Sequence, residues 1–460
     1  MTAGLPTETW MLATNLRNTG RHRSPNHSEP SHLWPKGLIE LRRFLSPGLQ
    51  TALPIRPQGA GTASTDCNVS TSGTTIFMKG VNRIIRIDAD NQTVTVEAGV
   101  LIETLVDALA EDGFELVGGF ELQGRTVGGA VSAPCFGPCI GNTGSYFSSH
   151  VVAMRVVTVG GKILTVTPKQ KNLLAAFRMS FGLLGIIYEV TLRIRPIRTF
   201  TASHRRVTID KFASIVNTLS ASDICFKFHL MPYRDRVYLD LRRYDSDPGN
   251  SYRAPWKLKD WGESTVLPNI FKSLNRIVPI SSVKYQLIDT ISEATQGFVN
   301  SSFVQTGTNA TSQSGRGRAS RNTFYSTWCF PAADFSVVAL AYRDFCEEML
   351  AKSQYRCDLP AVGYRLNRDA TSALSPSFDE SMIALTTAST QSKGWEDFVI
   401  DLAEFAEQWG GIPLISQSRA LRAEHVIQAY SNRLDFFRRT RRQLDPHNRL
   451  LSPFFAQFAE

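Results

Sequence analysis

The first 200 residues alternate short apolar runs with polar or glycine-rich connections. Leu101, Leu105 and Leu109 recur at helical spacing before Gly113, which predicts a short amphipathic helix with a glycine cap. The period-two alternation elsewhere predicts strands, and Gly160-Gly161 predicts the turn of a hairpin. The predicted strands are 74–78, 83–89, 93–99 and 185–196, and the hairpin is 151–168.

Beyond residue 199 a rhythm of strands and helices repeats. Such spacing predicts an antiparallel sheet with helices on one face, so the whole chain is expected to be α+β. Segments near 245–265 and 305–323, the latter rich in Gly, Ser, Thr and Arg, are predicted to be mobile linkers or lids. The predicted helices are 211–220, 334–351, 394–408 and 424–444, and the strands are 224–230, 236–243, 359–366, 381–388 and 412–416.

Composition places the chain among soluble globular proteins. It has 460 residues, of which 42% are hydrophobic and 20% charged, so two or three domains are expected. No apolar run is long enough to span a membrane, and the N-terminus lacks the apolar region of a signal peptide. These features predict a cytoplasmic protein.

The net charge of +9 comes largely from the segment 433–449 and from LRNTGRHR near the N-terminus. No reader motif for nucleic acid accompanies these arginines, so no nucleic-acid partner is expected. A solvated helix face is the favoured interpretation of the basic segment. A phosphate-bearing substrate or an anionic membrane surface stays as the alternative.

The seven cysteines form no CxxC pair and are scattered along the chain. This pattern supports neither a disulfide framework nor a zinc site, and no metal is expected. Reduced thiols in a reducing compartment are the simpler interpretation.

One loop, RPQGAGTASTDCN at 56–68, is composed almost entirely of small residues. It has no lysine, so it is not a Walker phosphate loop, and it lacks the GxGxxG dinucleotide fingerprint. A backbone this bare still allows close approach by a large anionic group, because amide N–H groups can bind phosphates without a cation.

Five segments in order resemble one flavoprotein family: the loop 56–68, TVEAGV, GRTVGGAVSA, GIIYEVTLRI and RRQLDPHNRLLSPF. Together they resemble the vanillyl-alcohol-oxidase / p-cresol-methylhydroxylase (PCMH) type of flavin domain, and most closely aldonolactone oxidases and decaprenylphosphoryl-ribose oxidase. The resemblance is strong over 50–198, moderate over 360–458 and weak over 200–355. It implies a two-subdomain PCMH-type FAD-binding domain (1–198), an antiparallel-sheet substrate or cap domain (199–423), and a C-terminal segment (424–460) that returns to the FAD domain.

The resemblance also implies that FAD is the cofactor, held between the small-residue loop and the TVGG loop (126–129). Main-chain amides of these loops would face the pyrophosphate. The implied cofactor-binding residues are Pro57, Gln58, Gly59, Ala60, Gly61, Thr62, Ala63, Gly119, Thr126, Gly128, Gly129, Ala130, Ser132, Gly137, Gly141, Gly144, Gly185, Ile186 and Ile187.

The sequence departs from this family at functional positions. Thr62 replaces a histidine that tethers FAD in many members, so the flavin is expected to be non-covalent. Phe136 replaces a second histidine, and Ala384 replaces a cysteine found in some members. Aligned without gaps from Tyr430, the family's lysine position is occupied by Gln417, whereas a shifted register would put Arg419 or Ser416 there.

Oxidation of an alcohol needs a group that takes the hydroxyl proton or stabilises the developing charge. A glutamine does neither, so other residues of the C-terminal half are candidates to compensate. The candidate catalytic residues are Gln417, Arg419, Tyr430, Tyr364, Arg365 and His425. His229 is a further candidate, although a single histidine on an apolar strand is more often a core residue.

These features predict an FAD-dependent oxidase or dehydrogenase that oxidises a CH–OH group of a sugar, cyclitol or sugar-like intermediate, with a link to a nucleotide or phosphate left open. Its partner would be a small polyol or sugar-type molecule. Two alternatives stay open: a flavoenzyme of another oxidation type, acting on amines or forming C–C bonds, and an FAD-binding protein without turnover.

Overall fold

The computed structural model describes residues 31–70, 72–117, 124–141, 144–244, 267–278, 280–297, 302–306 and 323–460. The two segments predicted to be linkers or lids lie outside these ranges, except at residues 305, 306 and 323. Within the described ranges, no helix is long and apolar enough to cross a bilayer.

The first part of the chain contains two small sheets. Strands β1, β3 and β2 pair in that order as a parallel sheet, and β4-β5-β9-β7-β8 form an antiparallel sheet to which β6 adds at β9. The elements are β1 Ser31–Leu33, α1 Leu38–Leu45, β2 Ile55–Gln58, β3 Thr74–Phe77, β4 Ile84–Asp88, β5 Thr93–Glu97, α2 Ile102–Glu111, β6 Phe114–Leu116, α3 Val127–Ser132, β7 Val151–Val157, β8 Ile163–Val166, α4 Lys171–Phe177 and β9 Ile186–Pro196.

The strands and the hairpin predicted in this part are confirmed to within one or two residues. In β9, Val190, Leu192 and Ile194 are buried while Arg193 is exposed, as expected for a strand with one face on a core. The helix predicted before Gly113 is also confirmed, and Gly113 has a φ of +79°, the left-handed conformation that ends helices.

The second part is built around an eight-stranded antiparallel sheet, with strand order β13-β10-β12-β11-β15-β16-β14-β17. We call it the cap sheet. The elements are β10 Thr199–Val207, α5 Ile209–Ser220, β11 Cys225–Met231, β12 Arg236–Tyr244, α6 Leu267–Ile277, α7 Ser281–Gly297, β13 Ser302–Thr306, β14 Phe324–Pro331, α8 Phe335–Ser353, β15 Ala361–Leu366, β16 Met382–Ser389, α9 Trp395–Gln408, β17 Ile412–Pro413, α10 Ala423–Leu444 and α11 Pro453–Ala459.

The two faces of the cap sheet belong to different cores. One face packs on α5, α8 and α9 through an aromatic cluster in which the Phe212 and Phe228 rings lie 4.7 Å apart. The other face supplies Cys329, Leu366 and Ala384 to the core of the first part. The prediction of an antiparallel sheet with helices on one face is confirmed, and so is the α+β class.

The C-terminal helices α10 and α11 pack into the core of the first part. The basic segment 433–449 was predicted to be a solvated helix face, and this is wrong for several of its arginines. Arg433, Arg438, Arg441 and Arg449 donate hydrogen bonds to main-chain carbonyl oxygens. Much of this positive charge therefore fastens the chain terminus to the rest of the protein.

Candidate functional site

The two glycine-rich loops that were expected to face one cofactor lie side by side. A Cβ at Gly59 would lie 2.1 Å from Thr126 Oγ1, so only glycine fits there. Gly61 has a φ of +71°, a conformation that glycine adopts without strain. Thr126 Oγ1 accepts a hydrogen bond from the amide of Gly129 (3.3 Å) and caps the short helix α3.

The two glycines of the TVGG loop have different surroundings. The Gly128 amide donates to Ala98 O (2.8 Å), and a Cβ at Gly128 would lie 2.8 Å from the Ala98 Cβ. Gly129 is exposed, and a Cβ there would meet only Thr126 Oγ1 at 3.1 Å. Gly128 is thus required by packing on the end of β5, whereas Gly129 leaves space free in front of the loop.

These loops form one wall of a cleft with about 920 Å³ of space free of protein atoms, including the part open to solvent. A cleft of this size is typical of a ligand or cofactor site. Most residues predicted from the sequence to bind the cofactor line it. They are Pro57, Gly59, Ala60, Gly61, Thr62, Ala63, Thr126, Gly128, Gly129, Ser132, Ile186 and Ile187.

Six residues predicted to bind the cofactor do not line this cleft. Ala130 is fully buried within α3. Gln58 lies at the end of β2, opposite Phe77. A Cβ at Gly185 would clash with the Val156 side chain at 2.6 Å, so this glycine is required by strand packing.

The other three lie in the segment after α3. Gly137 is buried, the Gly141 carbonyl accepts a hydrogen bond from Asn367 Nδ2, and a Cβ at Gly144 would meet the Ser149 side chain. Ala133 and Cys135, at the start of this segment, line the cleft, whereas these three glycines do not. Gly119, also predicted to bind the cofactor, lies outside the described residues.

Gln417 lines the cleft and is the only predicted catalytic residue among the described residues that does so. Its Oε1 accepts a hydrogen bond from Thr327 Oγ1 (3.2 Å), and that hydroxyl also lies 2.8 Å from Thr386 Oγ1. In the described part of the chain, no group accepts a hydrogen bond from Gln417 Nε2. Thr327 thus orients the amide so that its NH₂ can donate to a molecule in the cleft.

The segment around Gln417 is fastened to the small-residue loop. Ser64 Oγ donates to Gln417 O (2.9 Å), Thr65 Oγ1 donates to Ile415 O (3.0 Å), and the Ser64 amide donates to Ser416 O (3.1 Å). Arg419 adds a hydrogen bond from Nη1 to Ser64 O (2.7 Å). A hydroxyl-rich loop in the first part therefore holds the end of the cap sheet in place.

Four other predicted catalytic residues make structural contacts and do not line the cleft. Besides Arg419, Tyr430 is buried and its hydroxyl donates to Pro413 O (2.9 Å). Arg365 donates to Asn367 Oδ1 and to main-chain carbonyls. His425 is buried at the start of α10, where it accepts a hydrogen bond from the Arg422 amide. Burial lowers the pKa of His425, so this imidazole is neutral at pH 7.

Tyr364 lies on the face of the cap sheet turned toward the first part. Its ring meets Phe136 edge to face, with centroids 5.6 Å apart, and Lys227 Nζ lies 5.6 Å from its centre. His229 is buried on β11, with Nδ1 3.4 Å from Gln296 Nε2.

Sequence reasoning missed several residues of the cleft. Arg56 braces the base of the loop, donating hydrogen bonds to Leu450 O and Cys67 O. Arg125 could have been found, because it directly precedes the TVGG loop. Ser416, the alternative for the lysine position, also lines the cleft. The residues that line it without having been predicted are Arg56, Cys67, Asn68, Met78, Ala98, Arg125, Ala133, Cys135, Phe181 and Gly182.

The cleft suits FAD on three counts. Gly59 and Gly61 line the cleft and have no side chain, so their backbone is accessible to a bound group. No residue that lines it in the described part of the chain is acidic, so nothing there repels a pyrophosphate. The apolar Ile186, Ile187 and Met78 offer surface for flat rings.

Comparison with known proteins agrees with this fit. Residues 33–167 match the family described as FAD binding domain. FAD is accordingly the cofactor of this protein. Cholesterol oxidase from Brevibacterium sterolicum has the same fold, with a TM-score of 0.73 at 13% identity, covering 93% of this chain and 94% of that one.

Sequence relatives are lactone-oxidising proteins by name. L-gulono-1,4-lactone dehydrogenase of Mycobacterium tuberculosis is 28% identical over 218 residues, 46% of this chain and 49% of that protein. L-gulonolactone oxidase of Bos taurus is 26% identical over 226 residues, 48% of this chain and 50% of that protein. The chain thus spans about half the length of the curated relatives it matches.

The cap sheet, the segment around Gln417 and the C-terminal helices lie within one further match. Residues 190–458, more than half of the chain, match the family described as D-arabinono-1,4-lactone oxidase. By this match the chain belongs to the D-arabinono-1,4-lactone oxidase family.

Proposed function

We propose that this protein is an FAD-dependent oxidoreductase that oxidises a CH–OH group of a sugar, cyclitol or sugar-like small molecule. The main observation in support is the cleft. It lies between the small-residue loop, whose backbone FAD can approach closely, and the end of the cap sheet at Gln417. Bound FAD would supply the acceptor for the hydride that leaves the carbinol carbon.

The chain's own residues bind and orient in this mechanism. The amides of Gly59, Ala60 and Gly61 would hold the pyrophosphate, and Gly129 would leave room for it. Tyr325 donates a hydrogen bond from its hydroxyl to Thr62 O (2.7 Å), which fixes the loop from the cap side.

Gln417 would hydrogen-bond the reacting partners without titrating. Its amide cannot accept the hydroxyl proton, and its NH₂ provides a neutral donor where related enzymes have a lysine. A neutral donor stabilises developing negative charge less than a cation does, because charge-assisted hydrogen bonds are roughly twice as strong. We therefore expect slow oxidation of plain alcohols, or a substrate that is easier to oxidise.

Two other functions are proposed for the case in which Gln417 does not support the oxidation of an alcohol. A flavoenzyme that oxidises amines or forms C–C bonds is favoured by Gln417 together with the apolar Phe136, which leave no family base in place. A protein that binds FAD without turnover is the other possibility.

Anaerobic mixing of the holoprotein with a panel of sugars, aldonolactones, cyclitols and their phosphates distinguishes these functions. Bleaching of the flavin by a polyol or lactone supports the proposed function. Bleaching by amines alone supports the first alternative, and a flavin that dithionite reduces while no organic donor does supports the second.

We also propose the chain's organisation and location. The FAD-binding domain is 1–198, the cap domain 199–423 and the returning segment 424–460. All seven cysteines are free thiols, which is typical of a reducing compartment such as the cytoplasm. Its partner is a small sugar-type molecule. A nucleic-acid partner is not expected. The case for binding to a membrane surface is weaker, because C-terminal arginines donate hydrogen bonds to main-chain carbonyl oxygens of the protein.

A further inference from the structure

Arg125 is a cation in the wall of the cleft with very few hydrogen bonds. It directly precedes the TVGG loop, and its main-chain carbonyl accepts a hydrogen bond from the Ile102 amide (3.0 Å). Its guanidinium donates from Nη1 to the Cys135 thiol (2.9 Å). A guanidinium has five N–H donors, and within the described residues no other acceptor takes one of them.

Other arginines in the interior have stronger hydrogen-bond acceptors than Arg125 has. The Arg56 guanidinium binds three main-chain carbonyls. Arg242 and Arg356 each lie beside an aspartate, with N–O contacts to Asp240 and Asp289. For Arg125, the described residues provide no carboxylate within 4.0 Å and only a thiol, which is a weak acceptor.

The surroundings of Arg125 keep it charged. Interaction with the Cys135 thiol raises the pKa of Arg125 most, burial opposes that rise, and Tyr325 and Tyr364 add to it. None of the described residues that line the cleft is acidic. A partly buried cation without an anionic partner is costly, so a ligand with an anionic group would gain by supplying one.

The position of Arg125 indicates which ligand this is. The two tyrosines that affect it, Tyr325 and Tyr364, belong to β14 and β15 of the cap sheet. Cys135, to which it donates, is followed by Phe136, whose ring packs on Tyr364. Arg125 therefore lies where the FAD-binding part meets the cap sheet, the side from which a substrate would reach the flavin.

We propose that Arg125 is a specificity-determining residue that binds an anionic group, a carboxylate or phosphate, of the sugar-type substrate. This inference rests on the proposed function, since it names the substrate class of the same cleft. The guanidinium would pair with two oxygens of the anion through donors that the described residues leave unused. The bound FAD is the other possible source of an acceptor, and the test separates the two sources.

The test uses the FAD-loaded protein and measures binding by the change in the flavin absorbance spectrum, without turnover. The probes are D-glucose, D-glucuronate, D-glucose 6-phosphate and inorganic phosphate. The variants are Arg125→Gln, which removes the charge, and Arg125→Lys, which keeps it. Arg86→Gln, at a side chain that is 70% exposed, is the control for a change in net charge alone.

We expect at least one anionic probe to bind the wild-type protein at least tenfold more tightly than glucose. Arg125→Gln should weaken that binding by about 10- to 100-fold, as loss of a charge-assisted hydrogen bond does. Arg125→Lys should retain part of it, and Arg86→Gln should bind as the wild type does.

Three results would overturn the inference. In the first, the wild-type protein binds no anionic probe more tightly than glucose. In the second, the Arg125→Gln protein keeps wild-type affinity for the anion. In the third, Arg125→Gln changes only the FAD affinity or the flavin potential, measured without a probe. The last would assign the guanidinium to the cofactor. If anions bind through Arg125 but no carbinol reduces the flavin, the proposed function fails while the anion site stands.

Discussion

At the scale of single residues, Thr62 decides how the flavin is attached. Thr62 lines the cleft, and its carbonyl is fixed by the Tyr325 hydroxyl. A threonine hydroxyl cannot form the histidyl bond of tethered relatives, so FAD should be held by non-covalent contacts alone. We expect acid precipitation to release the yellow colour into the supernatant. Flavin retained in the washed pellet would contradict this, and a histidine-tethered flavoprotein treated in parallel is the control.

Gln417 gives the second prediction at this scale. Gln417→Lys should place an ammonium group where the amide NH₂ now faces the cleft, and so stabilise the reduced, anionic flavin. We expect a more positive flavin midpoint potential and flavin reduction faster by about tenfold. The potential is measured by dye-linked titration, and the rate by anaerobic stopped flow with the best donor found.

Two further variants test the register of this assignment. Gln417→Met removes the hydrogen bond without adding charge, so the potential should move in the opposite direction or stay unchanged. Arg419→Ala should loosen the small-residue loop, because Arg419 donates to Ser64 O, and should weaken FAD retention. If Gln417→Lys leaves both measurements unchanged while Arg419→Ala abolishes reduction in the loaded protein, Arg419 has the functional position.

The residues of the cleft show what a sequence can reveal about a site. Gly59 and Thr126 were predictable because small residues in a loop indicate a close backbone approach. Cys135 was not predictable, because its contact with Arg125 forms only after the chain has folded. Gly185 shows the opposite error, since a glycine required by packing has the same sequence signal as one required by a ligand.

At the scale of elements, the two glycines at the start of α3 are expected to have different roles, one in cofactor binding and one in packing. Gly129→Val should place a branched side chain in the cleft and abolish FAD retention, while the fold is kept. Gly128→Ala should instead destabilise the protein by about 1–3 kcal/mol, as overpacking does, because its Cβ would press on Ala98. Flavin occupancy and thermal unfolding of the apoprotein measure the two effects.

Gly160→Val is the matched control for this pair. Gly160 lies in the β7–β8 turn, and a Cβ there would meet nothing within 4 Å. Both its flavin occupancy and its unfolding temperature should equal those of the wild type. Full occupancy in Gly129→Val would mean that the loop is an ordinary turn and that the cofactor lies elsewhere.

The elements that the sequence revealed are those with a strong internal pattern. The strand β9 and the helix α2 have an alternation or spacing set by one buried face. The strand β10 was missed because it runs through Ser203, His204, Arg205 and Arg206, and only its pairing with β12 and β13 makes it a strand. The helices α6 and α7 were also missed, and α7 has weak amphipathic character.

At the scale of the whole molecule, two cores share one sheet. The resemblance to a flavin family predicted a cap domain with an antiparallel sheet, whereas composition alone predicted only two or three domains. What the sequence could not predict is the contact between the two parts, in which Ser64 Oγ donates to Gln417 O and Thr65 Oγ1 donates to Ile415 O. These hydrogen bonds join residues about 350 positions apart, and a local sequence pattern cannot predict such a contact.

The last prediction concerns removal of the cofactor. FAD bound between the small-residue loop and the end of the cap sheet should stabilise both cores, because Ser64, Thr65 and Arg419 join them beside the cleft. With free FAD at about 100 times its Kd, linkage gives roughly 2.7 kcal/mol of added stability over the apoprotein. Hydrogen exchange of the apoprotein and holoprotein should therefore show slower exchange on FAD binding in the loop 59–65 and in 414–419 alike.

Ser64→Ala is the matched variant: it removes one bond to Gln417 O and should reduce the protection of 414–419 more than that of 59–61. Protection confined to the loop in the wild-type protein would mean that the cofactor stabilises the first part alone and that the cap sheet moves independently of it.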